Sequence, residues 1–347
     1  MNYGISILFR AIPLLMAAFC FAYGAYVLAA GDTPDRLTAG PVIFFLGSIC
    51  VALYCTAATI IRQIIGTYTT AAKYIFPILG YAFALFTLIY GLTIIDTQYA
   101  PTYVSGHVVC GLALITACVA TAATSSTKFG LIPVNSAAPD RAFNPSGFSR
   151  TVGSILMGFV IVVSAVAWIW AIILLTTGHS QAHIVAGCVM TGIACVCTSL
   201  IALVASIVRQ VQGVYTDGEK VIWPLWALVL GLAAFVLGLV MIFVHWGEPV
   251  DFVGFVLIGL ALICWSISSK VILLAKIWHA DFALASRIPI IPVITALICL
   301  FMSAFLFEEA LFKIKFFVPA RVLAGFGAIC FTLFSIVSIL ESGAKRR

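Results

Sequence analysis

Between Arg150 and Arg209 the chain runs through 58 residues, Thr151 to Val208, without one Asp, Glu, Lys or Arg. A helix crosses the hydrocarbon core of a bilayer with about 20 apolar residues, so this single stretch can cross it twice. The rest of the chain is of the same kind: of 347 residues, 63% are hydrophobic and 9% charged, with a mean hydropathy of +1.20. Soluble domains carry roughly 25% charged residues. The composition therefore predicts a polytopic membrane protein and excludes a soluble enzyme, a nucleic-acid binder and a secreted disulfide scaffold. All 11 cysteines fall inside apolar runs, where a thiol acts as a small packing residue. Cys195 and Cys197 are the only close pair, and no CxxC is present. The first thirty residues read as a membrane helix and not as a leader, because a basic start is missing and Arg10 interrupts the apolar run.

Internal repeats organise the sequence. A small residue is followed five positions on by Gly or Phe and ten positions on by Cys or Thr: Gly40/Phe45/Cys50, Gly106/Gly111/Thr116, Gly187/Gly192/Cys197, Gly254/Gly259/Cys264 and Ala320/Gly325/Cys330. The successive offsets are 66, 81, 67 and 66 residues, the long one holding a polar segment rich in Pro, Asn, Ser and Gly. Twelve residues beyond the Cys/Thr position stand Arg62, Lys128, Arg209 and Lys276, with Ser342 in the last copy. Pro13, Pro77, Pro224 and Pro292 precede the small residue by 27, 29, 30 and 28 positions, and the third copy has Gly158 in that neighbourhood. The chain is thus expected to be all-α, with ten transmembrane helices as five tandem hairpins spanning 4–63, 72–126, 152–208, 221–276 and 289–340.

If the basic ends of the hairpins face the cytoplasm, that side collects 14 of the 18 Lys and Arg, while Asp32, Asp35, Asp96, Glu248, Asp251, Glu308 and Glu309 fall opposite. The positive-inside rule then places both termini and the loop 127–150 in the cytoplasm.

Two helices per unit give every copy the same direction, so the repeats are parallel, and five of them can close into a pseudo-fivefold ring about an axis along the membrane normal. A proline removes an internal hydrogen bond and bends a helix, and freed carbonyls are tolerated in a membrane where protein or water satisfies them. That argument places the odd-numbered helices on the axis. The two small positions of the even-numbered helices, about 140° apart in azimuth, permit close packing on two sides; the packing positions are Gly40, Gly106, Gly187 and Gly254, with Gly111, Gly192, Gly259 and Gly325. By topology the plan resembles the tellurite-resistance/slow anion channel family, whose ten helices surround a pore of proline-kinked odd helices gated by phenylalanine. Phe301 and Phe305 of the ninth helix are the candidates for that gate.

In sequence, Ser286-Arg287-Ile288-Pro289-Ile290-Ile291-Pro292-Val293, the run Phe317-Val318-Pro319-Ala320-Arg321-Val322-Leu323-Ala324-Gly325 and the segment from Phe331 to Glu341 resemble the YhiM family of bacterial inner-membrane proteins. The likeness extends through Gly106-His107-Val108 and Ile132-Pro133. It implies an inner-membrane location and an association with survival of acid, with no agreed activity. The Gly-His-Val pattern of that family is absent at Gly40-Pro41-Val42 and Gly187-Cys188-Val189.

Histidine responds to acidification because its ordinary pKa is about 6.5. His107, His179, His183 and His245 fall toward the outer side and are the pH-sensing candidates, against the plain reading that a wet interface suits an imidazole. Lys270 stands six residues inside Lys276, about 9 Å along a helix. It either snorkels to the interface or marks a permeation route. Arg321, just inside the tenth helix, is expected to pair with Glu308 or Glu309 or to draw anions into a vestibule. No HExxH, GxSxG, P-loop or intramembrane carboxylate pair is present. No catalytic residue, cofactor or metal is therefore expected, and the partners are the lipid bilayer and a small solute. The composite expectation is a channel or facilitator for that solute, an anion being one class, with a non-conducting envelope or lipid-binding protein as the alternative. A reporter active only outside the cytoplasm, fused after residue 140, is expected to stay silent, while fusion after residue 98 gives full signal; the reverse pattern overturns the orientation.

Overall fold

The protein is described by a computed structural model covering residues 3–65, 69–129, 147–178, 180–212, 214–244, 250–278 and 289–344. Its helices are α1 (Tyr3–Ala29), α2 (Pro34–Ile65), α3 (Thr70–Ile94), α4 (Ala100–Phe129), α5 (Gly147–Thr177), α6 (Gln181–Val211), α7 (Glu219–Phe243), α8 (Val250–Trp278), α9 (Ile290–Phe312) and α10 (Phe317–Ala344), with one 3-10 turn at Ile314–Phe316. All ten are long and apolar enough to cross a membrane, and no strand occurs among the described residues. The even-numbered helices start earlier than the apolar runs suggest, α2 at Pro34 instead of 39, because a helix continues into the interface where its first turn can carry Asp35. The connection into α2 turns at Gly31, whose φ of 134° lies where side chains are strained. Thr69 caps α3, its hydroxyl accepting from the Ala72 amide at 3.2 Å.

Each odd-numbered helix packs antiparallel on the even-numbered helix that follows it. Beyond these pairs, α2 packs on α4, α4 on α6, α6 on α8, α8 on α10 and α10 back on α2. The even-numbered helices thus close a ring, and each odd-numbered helix lies outside it, also touching the even-numbered helix before its own. Their spans are 78–89% buried, against 28–33% for the odd-numbered ones. This corrects the expectation that the proline-bearing helices line the axis.

The reason lies in the residues. The buried positions of α7 form one narrow stripe, Glu219, Pro224, Ala227, Gly231, Ala234, Gly238 and Met241, and α3 has the same kind of stripe, from Ala72 through Pro77 to Gly91. All other faces of these helices are aliphatic or aromatic and suit lipid. The large exposed apolar side chains lie on odd-numbered helices or in loops and none on α2, α4, α6, α8 or α10 among the described residues. The even-numbered helices instead carry Ser, Thr, Cys, Ala and Gly on every side, and only protein can satisfy those hydroxyls. Pro13, Pro77, Pro224 and Pro292 are buried on the inward stripe of their own helices, and the Pro224 carbonyl accepts the Ser268 hydroxyl of α8 at 2.9 Å. Other hydroxyls join the two layers: Thr87 donates to Ser48 at 3.0 Å, Ser303 to the Ala320 carbonyl at 2.7 Å, and Ser164 and Thr198 share a bond at 2.7 Å.

The small residues mark the contacts. A Cβ added to Gly40, Gly106, Gly187 or Gly254 would meet Leu28, Ile95, Leu175 or Ile242, each on the outer helix of the same hairpin or, for Ile95, at the residue that ends it. A Cβ on Gly111, Gly192, Gly259 or Gly325 would meet Ile193, Leu260, Phe326 or Leu46, each on the next helix around the ring. Where α2 has Phe45 instead of Gly, the ring turns onto α3, 4.7 Å from Tyr90.

Replacing Gly238 by Ala sets a Cβ 2.8 Å from the Gly254 carbonyl oxygen, part of a backbone that cannot step aside. Gly238→Ala is expected to lower stability by about 1–3 kcal/mol. Gly158→Ala, with nothing within 4 Å of the new methyl, is expected to be neutral or to gain up to about 1 kcal/mol. Thermal unfolding in detergent separates the two; equal shifts would sink the close-approach account.

Candidate functional site

A cavity of about 470 Å³ opens at the end of the ring where the five even-numbered helices begin. All five contribute, at equivalent offsets from the repeat glycine. Thr38, Val104, Val185, Phe252 and Val318 stand two residues before it or before Ala320, and Val42, Val108, Val189, Val256 and Val322 two residues after. Leu112, Ile193, Leu260 and Phe326, six residues after, line the inner end; Leu46, their counterpart on α2, is fully buried. These side chains form the floor, and four of the five floor residues sit over a ring glycine of the preceding helix, Leu46 over Gly325 and so on around. Positions −2, +2 and +6 share a face because a helix repeats every 3.6 residues.

Polar groups are confined to the rim, at Asp35, Thr38, Gln181 and Lys315. The Thr38 hydroxyl donates to the Pro34 carbonyl at 2.9 Å. The Lys315 ammonium lies 5.0 Å from the Phe252 ring centre and 5.8 Å from that of Phe316. Below the floor, Ile49, Ile115, Val196, Ile263 and Ile329, and then Leu53, Val119, Leu200, Ile267 and Leu333, take up the same face of each helix, and all are buried.

Phe301 and Phe305 are 74% and 56% exposed on the outside of α9 and cannot gate a central path, for the same reason that α9 is an outer helix. Arg321 is outside the cavity lining. Its guanidinium stacks 3.4 Å from the Phe317 ring centre and 4.7 Å from that of Phe307, and Nη1 donates to the Phe317 carbonyl at 3.1 Å. It pairs with neither Glu308 nor Glu309; Glu309 reaches Lys313 at 3.9 Å. His107 and His183 come together beside the ring: their rings lie 4.3 and 4.7 Å from Tyr103, which stands between them. His107 Nδ1 bonds the Tyr103 carbonyl oxygen at 2.9 Å, and His183 Nδ1 bonds the Ser180 hydroxyl at 2.6 Å. Neither imidazole lines the cavity. His179 and His245 lie outside the described residues.

Lys270 is 1% exposed, so its stem does not snorkel to the surface. It lies in the opposite half of the ring from the cavity, and no ion pair to it occurs among the described residues. At the turn from α6 to α7 the repeat's basic residue Arg209 pairs with Glu219, which the repeats leave unmarked and which also accepts from the Thr216 amide at 2.7 Å and Trp223 Nε1 at 3.2 Å. Burial pushes the neighbouring Tyr215 phenol above its ordinary range. Among the described residues no group of three or more His, Cys, Asp or Glu is placed to hold a metal ion. The rim and the valine layers escape sequence reading because valines at a period of 3.6 look like any packed helix face; the signal lay in their identical offset in all five copies.

Ten membrane-crossing helices in two concentric layers around an apolar vestibule define a multi-pass membrane protein. The chain belongs to the family described as "Protein of unknown function (DUF2776)", which matches residues 1–345. It is 40% identical to the "Inner membrane protein YhiM" of Escherichia coli (strain K12) over 350 residues, covering 100% of each chain. No solved structure matches it.

An ammonium taken out of water without a countercharge carries a desolvation penalty of several kcal/mol that a hydrophobic residue of similar length does not. Lys270→Met is therefore expected to hold or raise the thermal midpoint. A marked fall would show that the ammonium is held by a partner.

Proposed function

We propose that this protein is an inner-membrane channel or facilitator for a small solute, shut in the present structure, with both termini in the cytoplasm and a role in survival of acid. The observation that carries this reading is the vestibule: a cavity on the ring axis, lined by all five even-numbered helices, that ends at a layer of five apolar side chains. Apolar constrictions of this kind close a path by excluding water, and they open when the surrounding helices move apart. The ring glycines favour such a movement, because each is a slot against which a floor side chain slides.

The walls bear on the solute class. An ion entering this cavity would exchange its water for valine, at a cost that nothing on the walls repays. A neutral solute, the uncharged form of a weak acid included, is therefore favoured over a bare anion. The acid setting is implied by the family resemblance, with His107 and His183 near the level of the mouth as its candidate sensors. The packed layers beneath the floor favour the second reading, a non-conducting protein that uses the vestibule only to bind.

Liposome flux decides between them. With glycerol, chloride and formate at pH 5 and pH 7, the double variant Leu112→Ala, Leu260→Ala is expected to pass glycerol and formic acid severalfold faster than the native protein and to leave chloride unchanged. No change for any solute would sink the conducting reading.

A further inference from the structure

We propose that Lys270 keeps protons out of the path: its ammonium is a fixed positive charge on the ring axis that turns back an excess proton and leaves a neutral solute free to pass. The proposal rests on the conducting reading and names the residue that sets its selectivity.

Lys270 faces the axis. Phe252 lines the vestibule, and Lys270 follows it on α8 by eighteen residues, which is five whole turns of 3.6 residues. The two therefore share an azimuth. The equivalent residues, sixteen past the repeat glycine or Ala320, are Thr56, Ala122, Leu203 and Ile336, and all five are buried. Lys270 stands about 15 Å below the floor residue Leu260 along the helix, beyond Ile263 and Ile267. Ser126, Ile207 and Leu274, one turn further on their own helices, are buried too. From two to twenty residues past the repeat position, the inward face of the five ring helices carries no other Lys, Arg, His, Asp or Glu.

Nothing cancels the charge. No hydrogen bond or ion pair to Lys270 occurs among the described residues. Its helix packs on α6, α7, α9 and α10. The acids with described side chains on those helices are Glu219, which pairs with Arg209, and Glu308 and Glu309, at the vestibule end of α9. A closed ring gains nothing from such a residue, since an apolar side chain packs there at lower cost.

An open path does gain. Apolar walls repel a bare ion because it must shed its water. A file of water threaded through them can still hand a proton from molecule to molecule, and valine and leucine do not stop that transfer. A fixed positive charge beside the file does. With unit charges about 5 Å apart and an effective dielectric of about 20, repulsion lowers the population of an excess proton beside Lys270 on the order of a hundredfold. Water in the open path hydrates the ammonium, so the charge is present where the file runs. A neutral solute meets no such barrier.

The test uses proteoliposomes carrying the opened variant Leu112→Ala, Leu260→Ala, with entrapped pyranine, and with valinomycin and potassium to hold the potential at zero. Proton entry after an acid step is divided by glycerol flux into the same vesicles. With Lys270 in place, glycerol is expected to pass while protons enter no faster than into protein-free vesicles. Adding Lys270→Met is expected to raise the ratio about thirtyfold or more, whereas Lys270→Arg, which keeps the charge, holds it within about threefold. Should thermal unfolding in detergent show that the methionine protein has lost its fold, Lys270→Gln carries the same expectation. Equal ratios with and without Lys270→Met, fast proton entry through the opened variant that retains Lys270, or a Lys270→Arg protein as leaky as Lys270→Met would each overturn the proposal. If the opened variant passes no glycerol, the conducting reading falls and this proposal with it; if glycerol passes and the ratio ignores residue 270, only this proposal falls.

Discussion

In a bilayer two helices gain little by hiding apolar surface from each other, because the acyl chains are as apolar as they are, so adhesion must come from close contact and from hydrogen bonds. Here the contact comes from small residues set five apart on the even-numbered helices. The first of each pair lets the outer helix of its own hairpin approach, and the second receives a branched or aromatic side chain from the next helix around the ring. Take away these slots and the ring helices stand off from their neighbours, the floor side chains lose their seats, and the hydroxyl bonds between layers are out of reach.

The vestibule is a consequence of the same pattern. Above the floor the inward positions are mostly valine, too short to meet across the axis of a five-membered ring. At the floor they become Leu, Ile and Phe, longer and anchored over the glycines, and the axis closes. Length of side chain at three successive inward positions, with no break in the helices, decides where the cavity ends. The polar rim then follows from topology, because every ring helix starts at that end of the molecule.

Much of the layout could be read from residue order. The ten spans follow from charge-free runs, and glycine spacing pointed to two packing sides. The proline argument failed because it treated a bend as a sign of water. Pro77 and Pro224 lie on an inward stripe of small residues, while the remaining faces of α3 and α7 are aliphatic and meet lipid. Helices with hydroxyls on every side had to be the inner ones, and that signal was present in α4, α6 and α8. With α9 outside, Phe301 and Phe305 went with it. Arg321 chose two aromatic rings over the nearby acids, a choice of rotamer and distance that no spacing encodes.

The sequence by itself determined that the chain crosses the membrane ten times, since a run without charge has no other low-energy solvent, and it set the small residues at which helices can touch. Only the tertiary structure decided which layer is inner, that Val108, Val189, Val256 and Val322 face one axis while Lys270 is sealed in the opposite half, and that His107 and His183 share Tyr103. Those outcomes depend on azimuth: a residue's partner is set by how each helix is rotated about its own axis, and that rotation is fixed by all its neighbours at once.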